Sequence, residues 1–181
     1  MDVAGRRPLI DTPGFEAVDA KSLANLILDW ADKAGISVSP MKLQKLLYFC
    51  HADFLVTVGK PLIRQDFEAW EFGPVIPSIF HEFKRFEAAP ISVRAEIFNP
   101  ITCNREVPVS AKLGPYEPLI RSSFESYSRY TASILSNMSH SESGPWAETL
   151  RRFRKGSIKG RSIDNEVIQR HHERPIQRAV H

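Results

Sequence analysis

The stretch between Ser39 and Gly59 carries apolar residues on most sides of one predicted helix. Its main apolar stripe recurs at spacings of three, four, seven and eleven residues, which fall on one face of an α-helix. That stripe consists of Leu43, Leu46, Leu47, Cys50, Phe54 and Val58, and a second stripe on another side consists of Phe49, Ala52 and Val56. Charge is confined mainly to Lys42, Lys45 and Asp53. Because a helix that is apolar on two faces needs neighbours on both, we expect this helix to be the buried centre of a domain.

Further patterns predict the elements around this central helix. Helical periodicity covers residues 20–33, 78–86, 117–138, 146–153 and 165–173. A short strand is predicted within residues 67–72, and the Pro-punctuated region 88–113 predicts a small β-hairpin or irregular insertion. The predicted fold is therefore mostly α: a single compact helical domain over residues 19–173, with an N-terminal tail (1–18) and a C-terminal tail (174–181).

Composition excludes several classes of protein. The 181 residues suffice for one domain with a substantial core, and 43% hydrophobic with 10% aromatic residues argues against disorder over most of the length. No uncharged run approaches the ~18 apolar residues that a membrane span requires, and the N-terminus lacks the hydrophobic segment of a signal peptide. We therefore expect a cytoplasmic protein without a membrane partner.

Motifs for catalysis and cofactor binding are mostly missing from the sequence. It contains no phosphate-binding glycine loop and no nucleophile elbow. Cys50 falls on an apolar stripe, where a thiol usually serves as a small buried hydrophobe, and the neighbouring pair Glu68 and Glu71 is weak evidence for acid–base chemistry. The local spacing of metal ligands is absent among the histidines that a fold could bring together, which are His51, His81 and His140. The sequence predicts a protein that is not an enzyme and holds no cofactor or metal.

Positive charge is concentrated in one segment. The net charge is +3, whereas residues 149–161 alone contain six basic side chains and no acid. They are Arg151, Arg152, Arg154, Lys155, Lys159 and Arg161. Such a segment can contact nucleic acid or an acidic protein surface, and a solvated loop is the alternative. Aromatic residues beside Gly-Pro turns, Trp70, Phe72 and Trp146, either pack on the core or anchor an interface.

Four short motifs together resemble the Panacea domain, the phage-associated, SocA-like group formerly known as a domain of unknown function. They are K-L-Q-K-L-L-Y-F at residues 42–49, G-K-P-L at 59–62, E-A-W-E-F-G-P-V-I-P at 68–77, and Ser139-His140 followed by Gly144-Pro145-Trp146. The resemblance covers roughly residues 20–173. The specific signal is the pairing of the first motif with E-A-W-x-x-G-P-V some twenty residues later.

The resemblance implies a mostly helical antitoxin of a bacterial or phage toxin–antitoxin module. Its partner would be a cognate protein toxin, neutralised by direct contact, with delivery of the toxin to an ATP-dependent protease as a further role. No catalytic residues are carried over. The predicted partner surface consists of Trp70, Phe72, Gly73, Pro74, His140, Arg151, Arg152 and Arg154. The alternative is a nucleic-acid-binding regulator that uses the basic segment 151–161.

Overall fold

A computed structural model describes residues 14–173, which form seven α-helices and five short strands. The helices are α1 (Ala20–Lys33), α2 (Pro40–Val58), α3 (Pro77–Phe83), α4 (Glu117–Ser128), α5 (Ala132–Ser139), α6 (Pro145–Arg154) and α7 (Asn165–Glu173). The strands are β1 (Phe67–Trp70), β2 (Gly73–Val75), β3 (Ile97–Asn99), β4 (Asn104–Glu106) and β5 (Ser162–Ile163). The prediction of a mostly helical fold with a small β insertion is confirmed. The predicted tail residues 1–13 and 174–181 lie outside the described residues.

Helix α2 is the centre of the domain, as the sequence predicts. Ser39 caps its first turn by accepting a hydrogen bond from the Lys42 amide, and Gly59 ends it in the left-handed conformation with φ of 75°. Every residue from Leu43 to Ala52 is buried, because α1, α3, α4, α5 and α7 all pack against this helix. The second apolar stripe is only partly covered, since Val56 is exposed at an open groove beside α4.

A small antiparallel sheet in the order β2-β1-β5 packs beside α2. Strands β1 and β2 form a tight hairpin in which Trp70 pairs with Gly73, while Phe67 pairs with Ile163 of β5. Strand β5 was not predicted, because two residues are too short to show a pattern. The predicted hairpin in region 88–113 is present as β3 and β4.

The predicted helix over residues 117–138 is wrong, because the chain breaks between α4 and α5. Thr131 leaves the helical conformation, and its hydroxyl accepts a hydrogen bond from the Ile134 amide at 3.3 Å, which starts a new helix. The change of direction buries Leu135 against the core and exposes Ile134 and Met138. As a result, α5 lies against both α2 and β2.

Residues 14–18, within the predicted N-terminal tail, pack on the domain. The ring of Phe15 lies 4.8 Å from that of Phe54 and 5.2 Å from that of Tyr116. The Val18 amide donates to the Leu62 carbonyl at 2.8 Å. Helical length and hydropathy within residues 14–173 nowhere reach what crossing a bilayer requires.

Candidate functional site

The turn Trp70–Pro74 between β1 and β2, here called the aromatic turn, approaches α2 and α5 closely. Gly73 has φ of 97°, a conformation that side chains other than glycine rarely adopt. A Cβ atom at this position would lie 2.5 Å from Lys45 Nζ and 2.8 Å from Ser139 Oγ. Glycine is therefore required here both by the backbone and by the neighbouring side chains.

Four carbonyl groups of the aromatic turn are held by side chains from other elements. The donors come from α2, α5, the residue after α5, and α6. Trp146 Nε1 donates to the Trp70 carbonyl oxygen at 2.6 Å, and His140 Nε2 lies 2.7 Å from the Glu71 carbonyl oxygen. Lys45 Nζ and Ser136 Oγ donate to the Phe72 carbonyl oxygen at 2.5 and 3.2 Å. Lys45 Nζ also donates to the Pro74 carbonyl oxygen at 3.3 Å. Because these bonds fix most of its backbone, the turn is preorganised.

Lys45 is the buried donor beneath this turn, although the sequence interpretation placed it among the few charged positions of α2. It is only 1% exposed. Desolvation by burial lowers its pKa from 10.5 to about 7. The neighbouring Gln44 binds the residue just after β2, since it accepts from the Ile76 amide at 2.9 Å and donates to the Ile76 carbonyl at 3.1 Å. A usable signal was present in the sequence: two polar residues lie side by side in a helix that is apolar on both faces.

His140 and Trp146 support the turn from the other side. Their rings lie 4.0 Å apart, and His140 Nδ1 is 3.3 Å from the Ser136 carbonyl oxygen. Trp70 packs against Phe80 at 5.0 Å between ring centroids. The structure thus brings the predicted residues Trp70, Gly73, Pro74 and His140 together. Their contact with a partner stays a prediction.

Phe72 is the large apolar residue of the turn whose side chain faces solvent. It is 58% exposed, whereas Gly73 and Pro74 are buried. A large apolar side chain on a rigid, exposed turn is typical of an interface anchor.

The three predicted arginines lie on α6, away from the hydrogen bonds that hold the turn. Arg151 donates to the Glu142 carbonyl at 2.8 Å, and Arg152 lies 3.4 Å from the Asp164 carboxylate. Arg154 is exposed in the last turn, where positive charge complements the helix dipole. Helix α6 is connected to the aromatic turn through Trp146. Nucleic-acid binding by this segment stays a prediction.

A second exposed apolar surface, which the sequence interpretation did not identify, lies on the β3–β4 hairpin and the chain just after it. Its large apolar residues are Ile97, Phe98, Ile101, Val107 and Val109, all exposed. The ion pairs of Arg105 with Glu82 and Glu96 attach the hairpin to the rest of the domain. The sequence predicted a hairpin here but not which of its faces stays uncovered.

Comparison with known proteins identifies the family. The model described as "Antitoxin SocA-like, Panacea domain" matches residues 43–147. A curated relative, the antitoxin SocA of Caulobacter vibrioides (strain NA1000 / CB15N), is 40% identical over 143 residues, which cover 77% of this chain and 73% of the relative. This chain belongs to the SocA-like antitoxin family. The resemblance seen in the sequence is therefore confirmed. No solved structure matches the chain.

The SocA-like match divides the predicted partner surface. Residues 43–147 include the whole aromatic turn and every side chain that holds it, from Lys45 to Trp146. Arg151, Arg152 and Arg154 lie beyond the end of the match. The preorganised turn is thus part of the region that the SocA-like model describes, and the basic segment is not.

The other candidate groups are accounted for by packing. His51 accepts from the Ile63 amide at 3.2 Å and pairs with Asn165 at 2.9 Å, so it joins α2 to the chain before β1 and to α7. Cys50 is fully buried, which raises the pKa of its thiol, and Glu68 accepts from Trp70 Nε1 at 2.7 Å. Within residues 14–173, His, Cys, Asp and Glu nowhere cluster in threes as a metal site would need.

A large open groove lies between α2, α4, the α5–α6 loop and α7. Its volume is about 1130 Å³. Aromatic side chains and one carboxylate, that of Asp53, line it. From the sequence, Asp53 was known only as one of the charged residues of α2, and its place in a groove was not predicted.

Proposed function

We propose that this chain is a non-enzymatic, cytoplasmic antitoxin that neutralises a protein toxin by direct contact. Its membership of the SocA-like antitoxin family supports the general role. The observation that carries the contact surface is the aromatic turn: Phe72 is exposed, while donors from three helices and His140 hold the backbone on both sides of it.

Preorganisation is the physical reason for choosing this turn. A binding loop that is already fixed in the free protein loses little conformational freedom when the partner docks, so more of the contact energy appears as affinity. Phe72 supplies the apolar anchor, and the exposed Glu71 beside it supplies a polar rim. The proposed toxin-binding surface also includes the three predicted arginines on α6.

Contact with the toxin has two possible consequences. In the first, the antitoxin covers the working surface of the toxin, and in the second it presents the toxin to an ATP-dependent protease. The half-life of the toxin separates them, since occlusion leaves it long and delivery shortens it only when both antitoxin and protease are present. We propose delivery of the toxin to the protease as a further step after binding.

The decisive experiment expresses each gene that neighbours this one, alone and together with this chain. We expect one neighbour to arrest growth alone, to be tolerated with this chain, and to co-purify with it. If every neighbour is tolerated alone, the proposal is wrong. A neighbour that is toxic and neutralised without forming a complex would contradict direct contact.

A further inference from the structure

The groove beside α2, here called the Asp53 groove, has an aromatic wall next to a carboxylate. The rings of Phe49 and Tyr127 are stacked, with centroids 4.5 Å apart and planes at 17°. The ring of Tyr48 lies 5.3 Å from that of Phe49 in an edge arrangement. Asp53 and Tyr127, both half-buried, line this groove, whereas Tyr48 and Phe49 are only 1% and 3% exposed and back its wall.

The carboxylate of Asp53 is only partly satisfied. One oxygen accepts from Ser123 Oγ at 2.6 Å and the other from Tyr127 Oη at 3.3 Å. A carboxylate has about four acceptor positions, so both oxygens retain capacity. Within residues 14–173, Asp53 has no Lys, Arg or His nitrogen within 4.0 Å. Desolvation by burial outweighs these two hydrogen bonds and raises the pKa of Asp53.

The histidines at the edge of the groove do not supply the missing positive charge. His172 pairs with Tyr48 Oη at 3.1 Å, and burial lowers its pKa to about 4, so it is neutral near pH 7. His171 is directed to the Glu148 carboxylate at 2.8 Å. Cys50, beneath Asp53, is a buried neutral thiol because burial raises its pKa.

This combination of groups selects a particular ligand chemistry. A half-buried carboxylate favours a cation that can donate hydrogen bonds to its free positions, and aromatic faces beside it favour the same cation through cation–π attraction. A planar guanidinium suits both, because it can donate to a carboxylate and stack on a ring. The groove is large enough for a side chain with its flanking backbone.

We propose that the Asp53 groove binds an arginine or lysine side chain of the toxin, with the carboxylate of Asp53 pairing with the cation and the ring of Tyr127, which Phe49 backs, covering its stem. This inference rests on the proposed antitoxin function. It adds a second contact to that of the aromatic turn. Helix α5 contributes to both, because its last residue, Ser139, approaches Gly73 and also lines the groove.

The test uses a small probe in place of the toxin. N-acetyl-arginine amide is titrated into the full-length protein at constant ionic strength, and backbone amide shifts are followed by NMR. N-acetyl-citrulline amide is the matched probe, since it has nearly the same shape without the charge. We expect saturable shifts at Asp53, Ser123 and Tyr127 with the arginine probe, and at least fivefold weaker binding of the citrulline probe.

Two variants complete the test. Asp53→Asn keeps the size of the side chain and an acceptor for Ser123, and it should weaken the arginine probe at least fivefold. Glu125→Gln removes the same charge from the exposed side of α4 and should leave binding unchanged. Equal binding of both probes, unchanged binding to Asp53→Asn, or no shifts in the groove would overturn the inference.

This outcome is separate from that of the proposed function. The probe experiment needs no toxin, and a toxin that co-purifies with the wild-type chain supports direct contact whatever the probe does. If the toxin binds Asp53→Asn as tightly as wild type, the groove is not part of the interface, while the antitoxin function stands.

Discussion

The ammonium group of Lys45, in the middle of α2, lies 2.5 Å from the carbonyl oxygen of Phe72, which is 27 residues further along the chain. The most buried helix of the domain therefore holds the backbone of a turn that exposes a large apolar side chain. The contact links fold to function, because the side chain of Phe72 points to solvent while its carbonyl is bound to the core. A residue in the scaffold helix sets the conformation of the surface that we propose binds the toxin.

Removing the Lys45 amine should change how stability depends on pH. Its pKa of about 7 in the folded protein lies below the ordinary value of 10.5. Between these values the unfolded chain binds more protons than the folded one, so the free energy of unfolding rises with pH, by up to about 1.4 kcal/mol per unit. Lys45→Met should lack this rise.

Urea unfolding at pH 7, 8 and 9 measures the effect. Lys33→Met is the control, since Lys33 is exposed in the last turn of α1 and its loss should leave the wild-type slope unchanged. Parallel curves for wild type and Lys45→Met would show that Lys45 is not desolvated in the folded state.

Replacing Gly73 should cost more stability than replacing another glycine with positive φ. Gly73→Ala adds both backbone strain and contacts with Lys45 and Ser139 at under 3.0 Å, whereas Gly59→Ala adds strain alone, because nothing lies within 4 Å of its Cβ position. We expect about 1 kcal/mol of destabilisation for Gly59→Ala and about 2–4 kcal/mol for Gly73→Ala. Chemical denaturation of both variants measures their free energies of unfolding. Equal losses of stability would mean that the aromatic turn can adjust to a side chain at Gly73.

The sequence predicted those features of the fold that depend on the local pattern of apolar and capping residues. Helix α2, its cap at Ser39 and its end at Gly59 follow from periodicity and from residues that act within one helical turn. The break before α5 was missed because the apolar spacing continues across it, whereas the decisive interaction is the single hydrogen bond that the side chain of Thr131 accepts.

The sequence singled out several residues of the aromatic turn but not the arrangement that holds them. Trp70 and His140 were both identified, yet their distance in the sequence gave no indication that His140 binds the backbone of the turn. Lys45 was missed because a lysine in an amphipathic pattern normally marks the solvent side. The polar pair Gln44–Lys45 in an apolar helix was the one local signal, but it does not identify the partner, which is a turn that folds across α2 from 27 residues away.

The basic segment provides a prediction that separates two roles. Changing Arg151, Arg152 and Arg154 together to Glu should leave the unfolding free energy within about 1 kcal/mol, because these side chains are largely exposed and the pair of Arg152 with Asp164 is a surface ion pair. If the segment extends the toxin interface, toxin affinity falls at least tenfold. Unchanged capture by a folded variant would exclude these arginines.

The matched control carries three charge reversals elsewhere on the surface, at Lys84, Arg85 and Lys112, all exposed. It should keep wild-type toxin affinity. A mobility-shift assay with duplex DNA and with RNA at low salt addresses the alternative role, for which the expected signature is affinity that falls steeply as salt rises. Absence of any shift at low salt rejects nucleic-acid binding.

The toxin-binding role of the aromatic turn can be tested with two phenylalanines of nearly equal exposure. Phe72 is 58% exposed on the aromatic turn, and Phe98 is 62% exposed on the β3–β4 hairpin. Truncating either to Ala removes little buried surface, so both variants should unfold within about 1 kcal/mol of wild type. Any large difference between them in toxin affinity therefore reports on the interface and not on the fold.

We expect Phe72→Ala to weaken toxin binding by about 2 kcal/mol, roughly thirtyfold, because an aromatic anchor on a preorganised turn is buried on association. Phe98→Ala should change affinity by less than about threefold. Titration calorimetry with the co-purifying toxin measures both values. The reverse order would place the interface on the β3–β4 hairpin, and the side chains that hold the aromatic turn would then serve stability alone.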